Sequence, residues 1–166
     1  MEKITIGKAQ KITSPNPFAI LTVKKPDGTT NAMALSWWNY ASNHPATVTV
    51  CLSKKGYSGE CIFREKTFGL NIVSEEVKEQ AYACGTCSGR TGDKAEKTGL
   101  PLIQAEGYGQ MMVDKSALWM SCKLVNHVEV GDHVIYIAEV DRIEGDVSKQ
   151  AVFAWNGYGM LEQVRG

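Results

Sequence analysis

Ala117-Leu118-Trp119-Met120-Ser121-Cys122-Lys123-Leu124-Val125-Asn126-His127-Val128 leads through Glu129-Val130-Gly131-Asp132 into His133-Val134-Ile135-Tyr136-Ile137-Ala138-Glu139-Val140-Asp141-Arg142-Ile143. Both flanks are long and rich in β-branched and aromatic residues, and Gly-Asp is turn chemistry. The stretch therefore predicts a long antiparallel hairpin. Shorter runs of the same kind lie upstream, at residues 18–23, 31–38, 47–52 and 68–73. The first of them ends at Lys24-Lys25-Pro26-Asp27-Gly28, where proline presets φ and glycine accepts a positive φ. Helices are few. Ser58 is placed to cap one running to about Lys66, and Ser74 another from Glu75 to about Ala83, with carboxylates in its first turn favouring the dipole. Gly85 is placed to end that helix in the left-handed conformation. Many antiparallel strands with two or three short helices predict a mainly β chain, a barrel or a sandwich.

The chain is 166 residues long, without an internal repeat or a linker-like tract, which predicts a single domain over residues 1–166. Hydrophobic residues make up 43%, enough for a sizeable core and too many for a disordered chain. Eighteen basic residues balance eighteen acidic ones, so the basic excess that nucleic-acid binding requires is missing. Splitting the chain at Ala83 leaves +3 and −3, too small an asymmetry to name a polyanionic partner. No run approaches the roughly 18 apolar residues of a membrane helix. Met1-Glu2-Lys3-Ile4-Thr5-Ile6 lacks the apolar core of a signal peptide. Five cysteines, an odd number, argue against a secreted disulfide framework and for a cytoplasmic protein with reduced thiols.

Four constellations carry candidate chemistry. In Asn31-Ala32-Met33-Ala34-Leu35-Ser36-Trp37-Trp38, small residues alternate with polar ones, so a flat ligand can lie close to a strand backbone. Adjacent tryptophans on a strand point to opposite faces. One packs in the core, and the other is a surface residue or covers a ligand or an interface. Cys51-Leu52-Ser53-Lys54-Lys55-Gly56-Tyr57-Ser58 brings hydroxyls, ammonium groups and a helix start together, which suits an anion, without the spacing of a P-loop. Cys84-Gly85-Thr86-Cys87 leads into Ser88-Gly89-Arg90 and Asp93-Lys94. The cysteine pair is either a redox dithiol or two structural residues; zinc would need further ligands that no second pair supplies. The loop after it is another candidate phosphate holder. Finally, Gly131-Asp132-His133 is either plain turn chemistry or a histidine fixed at a rigid rim where a ligand edge can meet it.

In order, Ser14-Pro15-Asn16-Pro17-Phe18, Asn31 to Trp38, Cys84-Gly85 with Ser88-Gly89-Arg90 and Asp93-Lys94, and Gly131-Asp132-His133 resemble the flavin reductase-like family. That group includes flavoredoxin. The resemblance spans about residues 14–145 and implies a split β-barrel with a few short helices. It also implies bound FMN near the interface of a homodimer, and NADH or NADPH as reductant. On matching positions Asn31, Ala32, Met33, Ala34, Ser36 and Trp37 run beside the isoalloxazine. Ser53, Ser58, Ser88, Arg90 and Lys94 approach the phosphate, and His133 lies beside the flavin and nicotinamide. Two positions depart from the pattern: Ser58 stands where threonine is common, and Ala95 where an aromatic residue often sits. The cysteine pair is not implied by the family.

A bound flavin brings the redox chemistry, and the protein supplies binding and orientation. This accounts for the lack of a nucleophile–base set or paired catalytic carboxylates. Two functions stay open: an NAD(P)H-dependent flavin reductase, and a non-enzymatic FMN electron-transfer protein. The chain lacks a G-x-G-x-x-G dinucleotide fingerprint, and this weakens the first without removing it. A cofactor-free interaction module is the third class.

Overall fold

The computed structural model describes residues 1–164. Helix α1 (Ile6–Ile12) precedes β1 (Asn16–Pro17), β2 (Ala19–Lys24), β3 (Thr30–Leu35), β4 (Trp38–Asn43) and β5 (Ala46–Ser53). Then come α2 (Tyr57–Glu65), β6 (Thr67–Ile72), a 3-10 turn (Glu75–Val77), α3 (Lys78–Cys84) and α4 (Lys94–Thr98). The strands β7 (Leu102–Gln104), β8 (Met111–Val113), β9 (Leu118–Val130), β10 (His133–Gly145), β11 (Val152–Trp155) and β12 (Met160–Gln163) complete the chain.

The predicted hairpin is the longest pairing in the molecule, and its strands run further into the turn than the sequence suggested. Only Gly131 and Asp132 lie between the paired residues Val130 and His133. Gly131 has φ +55, the left-handed value that a two-residue hairpin loop needs at its first position. Register shifts near Ala138 and Arg142 bend the hairpin, so β9 reaches β6 on one side and β10 reaches β5 on the other.

The main sheet has seven strands in the order β3-β2-β6-β9-β10-β5-β4. Its two edge strands, β3 and β4, are consecutive in the chain and separated only by Ser36 and Trp37. A sheet whose edges are tied by two residues must curl into a barrel, and those edges do not pair, so the barrel is split. The prediction of one strand over residues 31–38 is corrected here: the chain turns at Ser36-Trp37 and continues as the opposite edge.

Inside the barrel, Leu21, Leu35, Val50, Phe68, Leu70, Met120 and Tyr136 form one core, closed at an end by Cys61 and Ile62 of α2. Outside it, Phe18, Ile20 and Ala32 pack with Val77, Ala81 and Cys84, and with Val152, Ala154 and Leu161, in a second core. Strand β2 is buried on both faces, which is why its sequence is a continuous apolar run rather than an alternation.

Two local expectations are corrected. Ser58 does not cap α2: Gly56 is the N-cap, and Ser58 sits inside the first turn, where its hydroxyl is free for a tertiary bond. Gly85 does not take the left-handed conformation; it ends α3 at φ −71, ψ −17, close to helical. The Ser74 cap is as expected, accepting from the Glu76 amide. Among the described residues no helix is long and apolar enough to cross a membrane.

Candidate functional site

Strand β3 is paired on one edge only, with β2, so alternate backbone groups along its other edge face away from the sheet. Segment 85–89 lies against this edge. Gly85 approaches Ala34 closely enough that a β-carbon on the glycine would stand 3.5 Å from the alanine methyl, and one on Gly89 would collide with Asn31 Oδ1. Glycine at 89 is thus a requirement of close approach.

Asn31 is 3% exposed. Its side-chain amide donates to Ser58 Oγ over 2.8 Å, while its Oδ1 is a buried acceptor without a donor. A buried acceptor in that state is costly unless a ligand supplies the donor. Next to it, the Arg90 guanidinium donates twice to the Glu60 carboxylate and lies 4.9 Å from the centre of the Tyr57 ring. The Arg90 amide donates to Ser88 Oγ over 3.3 Å. Lys94 begins α4 behind the Asp93 cap. It is 6% exposed, and no ion pair to an acid holds it among the described residues. Burial pushes its pKa down, while the nearby Cys84 and Cys87 thiols push it up.

A second group forms at the other end of β3. Trp37, in the turn between the two edge strands, is exposed, and Trp38, the first residue of β4, is buried. The Trp37 ring lies 4.9 Å from the His133 ring, tilted by 33°. His133 is paired in register with Ser53 and shares a 2.8 Å hydrogen bond with Asp132 Oδ1. That bond holds the Asp132 carboxyl below its ordinary range. Beside them lies a cavity of about 300 Å³ lined by Ser36, Trp37, Asn39, Thr49, Cys51 and Ile135. Between the two groups a further cavity of about 300 Å³ is lined by Phe18, Met33, Ala34, Tyr82, Gly85 and Tyr158.

The structure therefore gathers Asn31, Ser58, Ser88 and Arg90 at one end of β3, and Trp37 and His133 at the other; Ser53, expected with the phosphate group, pairs with His133 while its carbonyl accepts from the amide of Gly56, the N-cap of α2. Met33, Ala34 and Ser36 lie between. From Asn31 to Leu35 the extended edge of β3 runs roughly 13 Å, and the turn at Ser36-Trp37 closes its far end. Ala32 is set apart, because the whole residue is buried in the second core. Lys94 is buried within electrostatic reach of the Cys84 and Cys87 thiols. Sequence reasoning missed Tyr57 and Glu60, which hold Arg90, and Tyr82 and Tyr158, which line the cavity. The acid in the first turn of α2 was a readable signal; the tyrosines gave none. A larger cavity of about 570 Å³, lined by Trp38, Tyr40, Leu118 and Phe153 among others, contains none of the predicted residues.

The residues fit a flavin mononucleotide: an unpartnered buried acceptor, a strand edge of small residues and a guanidinium beside the acceptor. Comparison with known proteins places the chain among flavin reductase-like proteins. The model of the flavin reductase like domain matches residues 12–161. An Aeropyrum pernix protein is 22% identical over 144 residues, 86% of this chain, and the chain spans only 54% of that relative's length. The NADH-dependent FMN reductase AsuE2 of Streptomyces nodosus subsp. asukaensis is 26% identical over 129 residues, 78% of this chain and 68% of that protein. Flavoredoxin of Desulfovibrio vulgaris (Miyazaki F) superposes with a TM-score of 0.84 at 22% identity, covering 99% of this chain and 94% of the other.

Proposed function

The chain belongs to the flavin reductase-like family, and from that premise we propose that it binds FMN along β3 and takes reducing equivalents from NADH or NADPH as a flavin reductase. The observation that carries the reading is the buried Asn31 Oδ1 without a donor, set on an alanine-lined edge between a cationic end and an aromatic end. When bound, the flavin supplies the hydride and electron chemistry. The chain's own residues bind and orient. Asn31 accepts from a ring or ribityl donor, and Ser53, Ser58, Ser88, Arg90 and Lys94 hold the phosphate. Met33, Ala34 and Ser36 line the ring. Trp37 and His133 form the wall where a nicotinamide can lie against it.

The phosphate-holding groups are local, with no second basic or glycine-rich element for an adenosine diphosphate half. FMN is therefore preferred to FAD. Isothermal titration of flavin-free protein with both tests this, and equal or tighter FAD binding overturns the preference. The missing dinucleotide fingerprint keeps a second reading in play, an FMN protein that exchanges electrons with protein partners alone. Bleaching of the bound flavin by a nicotinamide separates the two.

The protein acts as a homodimer in this reading. Trp37 and Tyr40 are 42% and 65% exposed beside the site, and aromatic residues of this kind are enriched at interfaces. Light scattering at micromolar protein is expected to give about twice the 18.2 kDa chain mass; the monomer mass contradicts it. Five free cysteines suit a reducing, cytoplasmic setting.

A further inference from the structure

We propose that Glu60 competes with the flavin phosphate for Arg90, and so lowers FMN affinity a few-fold and speeds its release. This rests on the phosphate reading above and deepens it.

Tyr57 and Glu60 stand three residues apart in the first turn of α2, a spacing that puts both side chains on one face. Arg90 lies across that face. Both its terminal nitrogens donate to the two oxygens of Glu60, one over 3.1 Å, while the Tyr57 ring supports the guanidinium from below. A guanidinium fork presents parallel donors that fit a carboxylate and a phosphate alike. The carboxylate therefore occupies the place an incoming phosphate would take. It is held there twice, by Arg90 and by the positive end of the helix, where an acid is favoured.

An arriving phosphate dianion meets two costs. Arg90 must release Glu60, and the displaced carboxylate, anchored on the same helix turn as Ser58, remains close enough to repel the newcomer. The pair is half-exposed on both sides, so neither cost is large, and exposed pairs of this type alter affinity only a few-fold. A modest penalty on one end of the ligand speeds release without abolishing recognition. That is the behaviour a protein needs if it passes reduced flavin onward.

The test is a titration of wild-type protein, Glu60→Gln, Arg90→Ala and the double variant with FMN and with riboflavin, followed by flavin fluorescence. Circular dichroism checks that each variant is folded. Glu60→Gln is expected to tighten FMN by roughly twofold to fivefold and to slow its release, with riboflavin unchanged. In the Arg90→Ala background the same substitution is expected to lose most of that gain. If Arg90→Ala weakens FMN while Glu60→Gln leaves it unchanged, or shifts FMN and riboflavin alike, the competition is refuted and the phosphate reading stands. If wild-type protein holds riboflavin as tightly as FMN and Arg90→Ala changes nothing, both fall together.

Discussion

The side-chain amide of Asn31 donates to the Ser58 hydroxyl across 2.8 Å, and this buried bond fastens the edge strand β3 to the first turn of α2. Asn31→Ala removes that donor together with the unpartnered Oδ1. In flavin-free protein the loss is expected to be small, about 0.5–1.5 kcal/mol by urea unfolding, because the orphaned acceptor disappears with it. FMN binding should suffer more, falling about tenfold. A variant that loses stability and keeps full FMN affinity would place Asn31 outside the site.

Arg90→Ala is expected to weaken FMN binding about tenfold or more, since a charge-assisted hydrogen bond contributes on the order of 1.5–3 kcal/mol, reduced here by the Glu60 pairing. Lys115→Ala serves as the comparison. Lys115 is solvent-exposed and takes part in the structure through its backbone carbonyl, so its removal should leave FMN binding alone. Equal retention of FMN by both variants would refute the phosphate assignment.

Lys94 has an opposite signature in stability and in binding. Burial disfavours its charged form, so Lys94→Met should stabilise flavin-free protein by about 1 kcal/mol while weakening FMN. The pH dependence follows from the lowered folded-state pKa. As pH rises through that value the native chain gives up the proton first, and the unfolded chain holds the extra proton until about its ordinary 10.5. Stability therefore rises with pH in that window, while FMN affinity falls as the cation is lost. Thermal melts and FMN titrations between neutral pH and pH 10.5 check both slopes. Slopes of the same sign would contradict a phosphate-holding lysine.

The Cys84–Cys87 pair is expected to be dispensable for flavin reduction. Cys84 is fully buried at the end of α3, its thiol shares a 3.3 Å contact with the Thr98 hydroxyl, and burial pushes its pKa up. It behaves as a small hydrophobe rather than a nucleophile. A Cys84→Ala/Cys87→Ser variant should keep FMN and most NAD(P)H-dependent turnover. Collapse of turnover with FMN still bound would make the dithiol a second redox centre.

The hairpin, β2 and β5 were legible because their periodicity and turn residues are local properties. The break at Ser36-Trp37 was not, because both halves are extended and only the closure of the sheet separates them. The strands β1, β11 and β12 are two to four residues long and owe their pairing to tertiary contact. Ser58 shows the same limit at the site. Its sequence neighbourhood suited a cap, and the structure spends its hydroxyl on Asn31, 27 residues away. Arg90 could be read as a cation from sequence, but that its guanidinium is already held by Glu60 emerges only when the loop after α3 folds across α2.

Binding of FMN in the groove along β3 and its presentation to a nicotinamide are tested most directly by anaerobic rapid mixing of FMN-loaded protein with NADH and, separately, NADPH, following the visible flavin absorbance. One FMN per chain is expected to bind saturably and to lose its oxidised colour with at least one nicotinamide, much faster than free FMN does. Saturable binding without bleaching by either would leave a pure electron carrier, and no saturable FMN binding at all would contradict an FMN site on β3.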